Sequence, residues 1–481
     1  MTAPTRARDG LPVERIGLAR LRSRCKRAVR RARREGREVL VGLTVPLPST
    51  VDPSAVAFAS RRAGEPWFCF EQPDRDRAAL AALGCVQRLT TSSNGDGRFA
   101  GVAAAWRLLA GAAEADAPDG PPGAGLVAVG GFAFADDGGE APHWADFGAA
   151  DLIVPEVALA RRGADVRLTL AAQAAPDDVP EEVAARLERR LAELRAAPLP
   201  LLDPAPAGRF RIASVAPPEH YEAAVARAVE RIREGAFEKI VLAREVAVHA
   251  PADHDAAAVY GVLRSAFESC YVFCAGRGDA AFIAASPELL VRREGLRAST
   301  VALAGSIRRS ADPAVDDHLG EQLLRSDKDR EEQAIVRHRI ARALRPHAVW
   351  VAAPDEPSIV KVANIQHLAT PIRAQLIQPR SAVELAGLLH PTPAVGGEPH
   401  AAAAPSIPAL EGLDRGWYAG PVGWTDANED GEFCVALRCA LLRGREARLY
   451  AGVGVVRDSD PASELAETEV KLGALLPVLA G

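Results

Sequence analysis

GEFCVALRCALLR (431–443) is the stretch on which the fold turns, with GWYAGPVGWTD (416–426) before it and ARLYAGVGVVRD (447–458) after it. All three are apolar runs broken by glycine and carrying aromatic side chains, a strand pattern. DANEDG (426–431) and RGRE (443–446) between them supply turn residues, so the three segments predict an antiparallel meander. DPASELAETEVKLGALLPVLA (460–480) follows as a helix, with Asp460 or Ser459 as its cap and Pro461 in its first turn. A meander with packed helices predicts the α+β class.

Alternation along 431–443 puts Arg438 on one face with Glu432, Cys434, Ala436 and Ala440. A guanidinium among small apolar neighbours is costly unless an anion meets it, which makes Arg438 a candidate for a substrate carboxylate; an internal ion pair is the alternative. Gly452 and Gly454, inside the next strand, offer a ligand close approach to the backbone. In the closing helix Glu464, Glu467 and Lys471 recur at i, i+3 and i+7 and share one face, which by itself reads as a solvated charge stripe.

Upstream, EHYEAAVARAVERIREGAF (219–237) has a helical period and runs into the alternating strand EKIVLAREVAV (238–248). Lys239, Val241 and Ala243 share one face of that strand. An amine among apolar neighbours is desolvated, which lowers its pKa toward the range of a general base; snorkelling to water is the simpler fate. Glu288, after Pro287 in ASPELLV (285–291), enters an apolar run, and burial would raise its pKa as a general acid requires. Gly305 and Ser306 in LAGSIRR (303–309) offer backbone approach and a hydroxyl. Ser326 or Asp327 caps a helix over 328–344, where Glu332 stands four residues after Lys328. Glu332, Glu464 and Glu467 together offer oxygen ligands from two helices, a donor set that suits Mg²⁺. IVKVANIQHLATPIRAQL (359–376) is a strand pair or one long strand carrying His367, a hydrogen-bonding candidate. LLHPTPAVGGEP (388–399) is a rigid loop.

The first half reads as strands at 39–47 and 64–73, the second a well-buried edge, then a helix at 99–115 and a strand at 125–137. A hairpin at 152–173, a helix at 179–197 and a Pro-rich linker at 198–208 complete it. Residues 1–37 hold thirteen Lys or Arg against three acids, and Val13–Arg37 suits a basic helix with Leu18, Leu21, Cys25 and Val29 on one side. A nucleic-acid role through this arm is the non-enzymatic alternative; a solvated surface helix packed through its few apolar residues is the expectation, with activity spared when residues 1–37 are removed.

The chain of 481 residues, 48% hydrophobic and 25% charged, needs a large core or two domains, and its net charge of −5 selects no polyanionic partner. No apolar run spans a membrane and no signal peptide is visible. Seven scattered cysteines without a CxxC pair read as reduced and buried, so a cytoplasmic protein is expected.

Ten motifs in order resemble the chorismate-utilising enzymes, and most closely the isochorismate synthases of the menaquinone type. They are FEKIVLAREV (237–246), ASPELLVRR (285–293), LAGSIRR (303–309), KDREEQAIV (328–336), IQHLATPI (365–372), LHPTPAVGG (389–397), GWYAGPVGW (416–424), ALRCA (436–440), YAGVGVV (450–456) and SELAETEVK (463–471). GEPWFCFEQP (64–73) and VGGFAF extend the likeness into the first half. The resemblance implies two large antiparallel sheets packed as a sandwich with helices outside. It divides the chain into a basic arm (1–37), an N-terminal α+β part (38–205) and a catalytic domain (210–481). It implies that Lys239 activates a water and Glu288 is the acid, and that Glu332 and Glu467 bind Mg²⁺ with Glu464 nearby. It also implies that Gly305, Ser306, Ala394, Arg438, Gly452 and Lys471 contact chorismate. Glutamine stands at the Lys239 position in ammonia-using relatives, and a nucleophilic lysine at the Ala304 position in aminodeoxychorismate synthases; this chain has neither. A salicylate synthase is the nearest enzymatic alternative. Chorismate is the expected partner, with no nucleic acid or membrane, and a monomer is expected over a dimer.

Overall fold

The computed structural model describes residues 11, 15–90, 97–203 and 206–480. Among these the strands form two antiparallel sheets, one of 12 strands and one of 10. A single apolar core joins them: Phe68, Phe70, Phe273 and Phe282 from the larger sheet meet Val129, Phe132, Val291 and Phe433 from the smaller. The outer face of the larger sheet is covered by helices through a second core, where Leu21 and Cys25 of Arg15–Glu35, Val183 and Leu187 of Pro180–Ala192, and Tyr260 and Leu263 of Ala256–Ala266 meet Val41, Leu43, Leu168 and Val272. The α+β class and the helix-covered sandwich follow from these two burials.

The expected meander is two hairpins in two different sheets. Pro421–Asp426 and Gly431–Val435 pair in the smaller sheet, whereas Cys439–Arg443 and Glu446–Val455 pair in the larger. The segment 431–443 is therefore not one strand. It leaves one sheet at Val435 and enters the other at Cys439, and Arg438 sits in the crossing with φ +48°, a left-handed conformation unusual for a residue with a Cβ. Alternation misplaced Arg438 because nothing in an apolar run marks where a chain changes sheets. The same happens in ASPELLV: Ala280–Ser286 belongs to the larger sheet and Leu289–Glu294 to the smaller, with Glu288 between them. The two crossings are laced together. Val435 N donates to Glu288 O (3.0 Å), Ala285 N to Arg438 O (3.1 Å) and the Ser286 hydroxyl to Val435 O (2.5 Å).

Two further expectations need correction. Trp67–Gln72 is an interior strand, paired with Ala78–Leu83 on one side and Tyr271–Arg277 on the other, so its aromatic burial marks the sheet centre and not an edge. The division at 205–210 separates chain segments and not folding units. Trp67–Gln72 pairs with Tyr271–Arg277 in one sheet and Val127–Phe132 with Pro421–Asp426 in the other, so both sheets run across it.

The basic arm is largely a packed helix, Arg15–Glu35, whose Leu21, Cys25 and Val29 are fully buried; Val13 and Glu14 fall outside the described residues. Its cations are widely paired: Arg20 and Arg24 with Asp116, Arg22 with Glu188, Arg27 and Arg31 with Glu114. The helix is packed through its few apolar residues, as expected. Burying each large apolar side chain is worth about 1.5–3 kcal/mol, so deleting residues 1–37 should lower Tm by many degrees and expose dye-binding apolar surface. A truncated protein melting with the full chain would refute this.

Candidate active site

The two crossings open onto a cavity between strand ends of both sheets and two helices. Glu288 and Arg438 line it from the crossings, Gly305, Ser306 and His367 from the smaller sheet, Gly452 and Gly454 from the larger, Glu332 from helix Asp327–Leu344, Glu467 and Lys471 from helix Pro461–Leu472, and Ala394 from the 388–399 loop. Of the thirteen residues singled out above, eleven line this space. Lys239 lies at its wall and Glu464 outside it.

Lys239 opens the strand Lys239–His249, fully buried, on the face where Val241 opposes Gly454 and Ala243 opposes Gly452. Its Nζ lies 2.8 Å from Glu332 Oε1 but makes no well-angled hydrogen bond. Gly454 is what permits this approach: a Cβ there would stand 2.3 Å from Glu332 Oε1 and 2.8 Å from Lys239 Cε. Gly454→Ala should therefore push the pair apart and cost at least tenfold in turnover with a near-normal Tm, and unchanged kinetics would contradict it.

Glu288 is 3% exposed, and no described protein group hydrogen-bonds its carboxyl. Burial pushes its pKa up to about 8 against the pull of Lys239, Arg438 and Lys471, so it holds a proton at neutral pH. His367 is held neutral, its pKa pushed down to about 3 by burial and by the neighbouring Arg438. Arg438 Nη2 donates to His367 Nε2 (3.2 Å), which leaves the imidazole Nδ1–H to donate to Gly305 O (3.2 Å). His367 thus steers Arg438 and has no free nitrogen for a substrate. No carboxylate pairs with Arg438 among the described residues, and its Nε is buried without a partner. The internal ion pair weighed above is absent there, and the guanidinium faces the cavity ready for an anion.

Gly305 adopts φ +72° at a bulge where Ala304 and Ser306 oppose Leu368 and His367. The bulge turns the Ser306 hydroxyl onto Glu467 Oε1 (2.8 Å). Burial works against the Glu467 charge, but Lys471 (2.8 Å) and Ser306 hold its carboxyl below the usual range. Lys471 also donates to Gly452 O (2.9 Å). The Asp460 cap, accepting from Ser463 N (2.9 Å), sets the start of this helix. The charge face of the helix is therefore an active-site wall. Glu464 is the exception: it is buried away from the cavity, its carboxyl raised by burial and paired with Lys328 at 2.8 Å.

The donor set fits Mg²⁺. Glu332 and Glu467 present hard oxygens to one cavity. No group of three or more ligating side chains occurs among the described residues, and Mg²⁺ is commonly held by one or two carboxylates plus waters and substrate oxygens. Of Glu332's chain neighbours, Glu331 is exposed and Gln333 donates to Thr370 Oγ1 (2.7 Å), which leaves Glu332 as the acid facing the site.

Sequence reasoning missed Tyr418 and Tyr450, which line the cavity and stack at 5.3 Å; aromatic side chains beside the glycines of YAG and WYAG were the available signal. A roomier cavity beneath Pro198–Leu202 is lined by aliphatic side chains and a closed Asp52–Arg264 pair, and holds no reactive constellation.

Fold and site define a chorismate-binding enzyme: residues 26–480 match the family described as chorismate binding enzyme, and the chain belongs to it. Among relatives, it is 38% identical to the salicylate biosynthesis isochorismate synthase of Pseudomonas aeruginosa over 95% of this chain and 94% of that protein. It is 34% identical to isochorismate synthase MenF of Bacillus subtilis over 74% and 75%. The structure of MenF, the menaquinone-specific isochorismate synthase from Escherichia coli, superimposes with a TM-score of 0.76 at 26% identity, covering 95% of this chain and all of that one.

Proposed function

We propose that this protein is an isochorismate synthase that converts chorismate to isochorismate with Mg²⁺. The observation that carries the reading is the placement of a buried Glu288, its carboxyl pushed up by burial, and a buried Lys239 at one cavity that also presents a guanidinium without a carboxylate partner among the described residues. Arg438 receives the pyruvyl carboxylate of the substrate. Bound at Glu332 and Glu467, Mg²⁺ would neutralise and orient the ring carboxylate. Lys239 takes a proton from water, whose oxygen bonds to ring C2. The ring double bonds shift, the C4–O bond breaks, and the proton of Glu288 leaves with that hydroxyl as water. The lysine favours water over ammonia as nucleophile, and Ala304 offers no nucleophile of its own.

Relatives named for salicylate biosynthesis and for menaquinone support a synthase that stops at isochorismate and feeds a menaquinone or siderophore pathway. A reducing cytoplasm suits its seven free thiols. No described helix is long and apolar enough to cross a membrane. The test is chromatography of a chorismate reaction with Mg²⁺ and with EDTA. Isochorismate formed only with Mg²⁺ is expected, salicylate with stoichiometric pyruvate would favour the salicylate synthase reading, and no turnover would sink both.

A further inference from the structure

The outer edge of the strand that carries Lys239 is paired in pieces. Residues 239–241 bond to 396–398, with Val241 N donating to Gly396 O (2.7 Å), and residues 246–249 bond to Arg211–Ser214. Between these pieces no strand among the described residues covers Val241 O and Ala243 N, groups that a sheet must satisfy. Two side chains do it instead. Glu411 Oε1 accepts from Ala243 N (2.7 Å), and Arg415 Nη2 donates to Val241 O (3.0 Å).

Glu411 and Arg415 stand four residues apart, their side chains 1% and 2% exposed, and are joined by two hydrogen bonds of 2.5 and 3.0 Å. The second arm of the fork, Arg415 Nη1, donates to Val395 O (2.8 Å), beside Ala394 in the 388–399 loop. Phe134 lies 4.2 Å from the guanidinium carbon and fixes its plane. One ion pair therefore holds together the base-bearing strand and the loop that forms another wall of the cavity. Val241, Ala394 and Val395 all line that cavity, while Glu411 and Arg415 do not.

We propose that Glu411 and Arg415 are positioning residues that act as a missing strand, fixing the Lys239 strand against the 388–399 loop in the register the reaction needs. This rests on the isochorismate synthase reading for its kinetic arm only. A buried pair is a poor source of net stability, since aliphatic side chains of like volume often serve as well. Its geometric role is distinct: a fork reaching two carbonyls of different segments cannot be reproduced by a single ammonium. A shift of about 1 Å in a reacting group can cost on the order of 10²-fold in rate.

The test uses Arg415→Lys and Glu411→Gln in the full chain. For each, Tm, kcat and KM for chorismate, and amide hydrogen exchange over 239–245 and 393–397 are measured. Arg415→Lys should lose at least tenfold in kcat with KM within about threefold, and exchange should quicken in both segments together. Glu411→Gln keeps an oxygen for Ala243 N and should lose less, which also covers the case in which Arg415→Lys fails to fold. Wild-type kcat in the folded variants, or unchanged exchange in either segment, overturns the proposal. Loss of KM and kcat only in step with Tm overturns it too, since that marks a merely structural pair. If the wild-type protein does not turn chorismate over, the function reading falls, and the exchange measurements still decide the fate of the pair.

Discussion

Glu288→Gln should abolish turnover, with kcat down on the order of 10²–10⁴-fold, the usual contribution of a positioned general acid. The amide fills the same space at the crossing and cannot give up a proton. With the carboxyl at about 8 in the folded protein, the wild type should hold its rate below that pH and lose about tenfold per unit above it. The variant's residual rate should show no such limb. Stability gives an independent check with a definite sign. A carboxyl whose folded pKa is raised stabilises the fold fully below its unfolded value, near 4.5, and loses that contribution as pH rises through about 8. Glutamine has no such term. The variant should therefore gain on the wild type between pH 4.5 and 8, by on the order of a few kcal/mol. A rate within tenfold of wild type, or parallel stability curves, would remove Glu288 from the role of acid.

Lys239→Ala should be equally silent for a different reason. It deletes the proton acceptor and strips Glu332 of its partner at 2.8 Å. Removing one member of a buried pair commonly costs about 3–5 kcal/mol, so a lower Tm alone would not identify a base. The double variant Lys239→Ala/Glu332→Gln separates the effects. Neutralising the abandoned carboxylate should recover most of the lost Tm. Because Glu332 is also a proposed Mg²⁺ ligand, the double variant is read for Tm alone, and turnover within tenfold of wild type in Lys239→Ala itself would remove Lys239 from the role of base.

Much of the site was legible because chemistry leaves local marks. An amine at the head of an apolar strand, glutamates at i and i+3 on a closing helix, and glycines inside strands are all visible in one dimension, and eleven of thirteen candidates line one cavity. Glu464 shows the limit: a helix face groups residues by angle, but Lys328 on another helix decides which of them turns to the cavity. His367 shows another, since its role follows from holding Gly305 O and Arg438 at once, and the latter comes from a segment 71 residues away. The buried edge assigned to Trp67–Gln72 failed because burial reports neighbours without naming them.

The segment 431–443 marks the division most sharply. Its composition determined strand, and its arginine among small apolar residues determined that an anion or a partner would be needed. Only the tertiary structure decided that the chain changes sheets at Ala436–Arg438, because periodicity is a property of one strand and a crossing is a property of two packed sheets. There the left-handed turn at Arg438 and the neighbouring crossing at Glu288 bring a cation and an acid to one cavity. The sequence by itself determined which residues could do the chemistry. Hydrogen bonds between the two crossings, formed across some 150 residues of chain, decided that they meet.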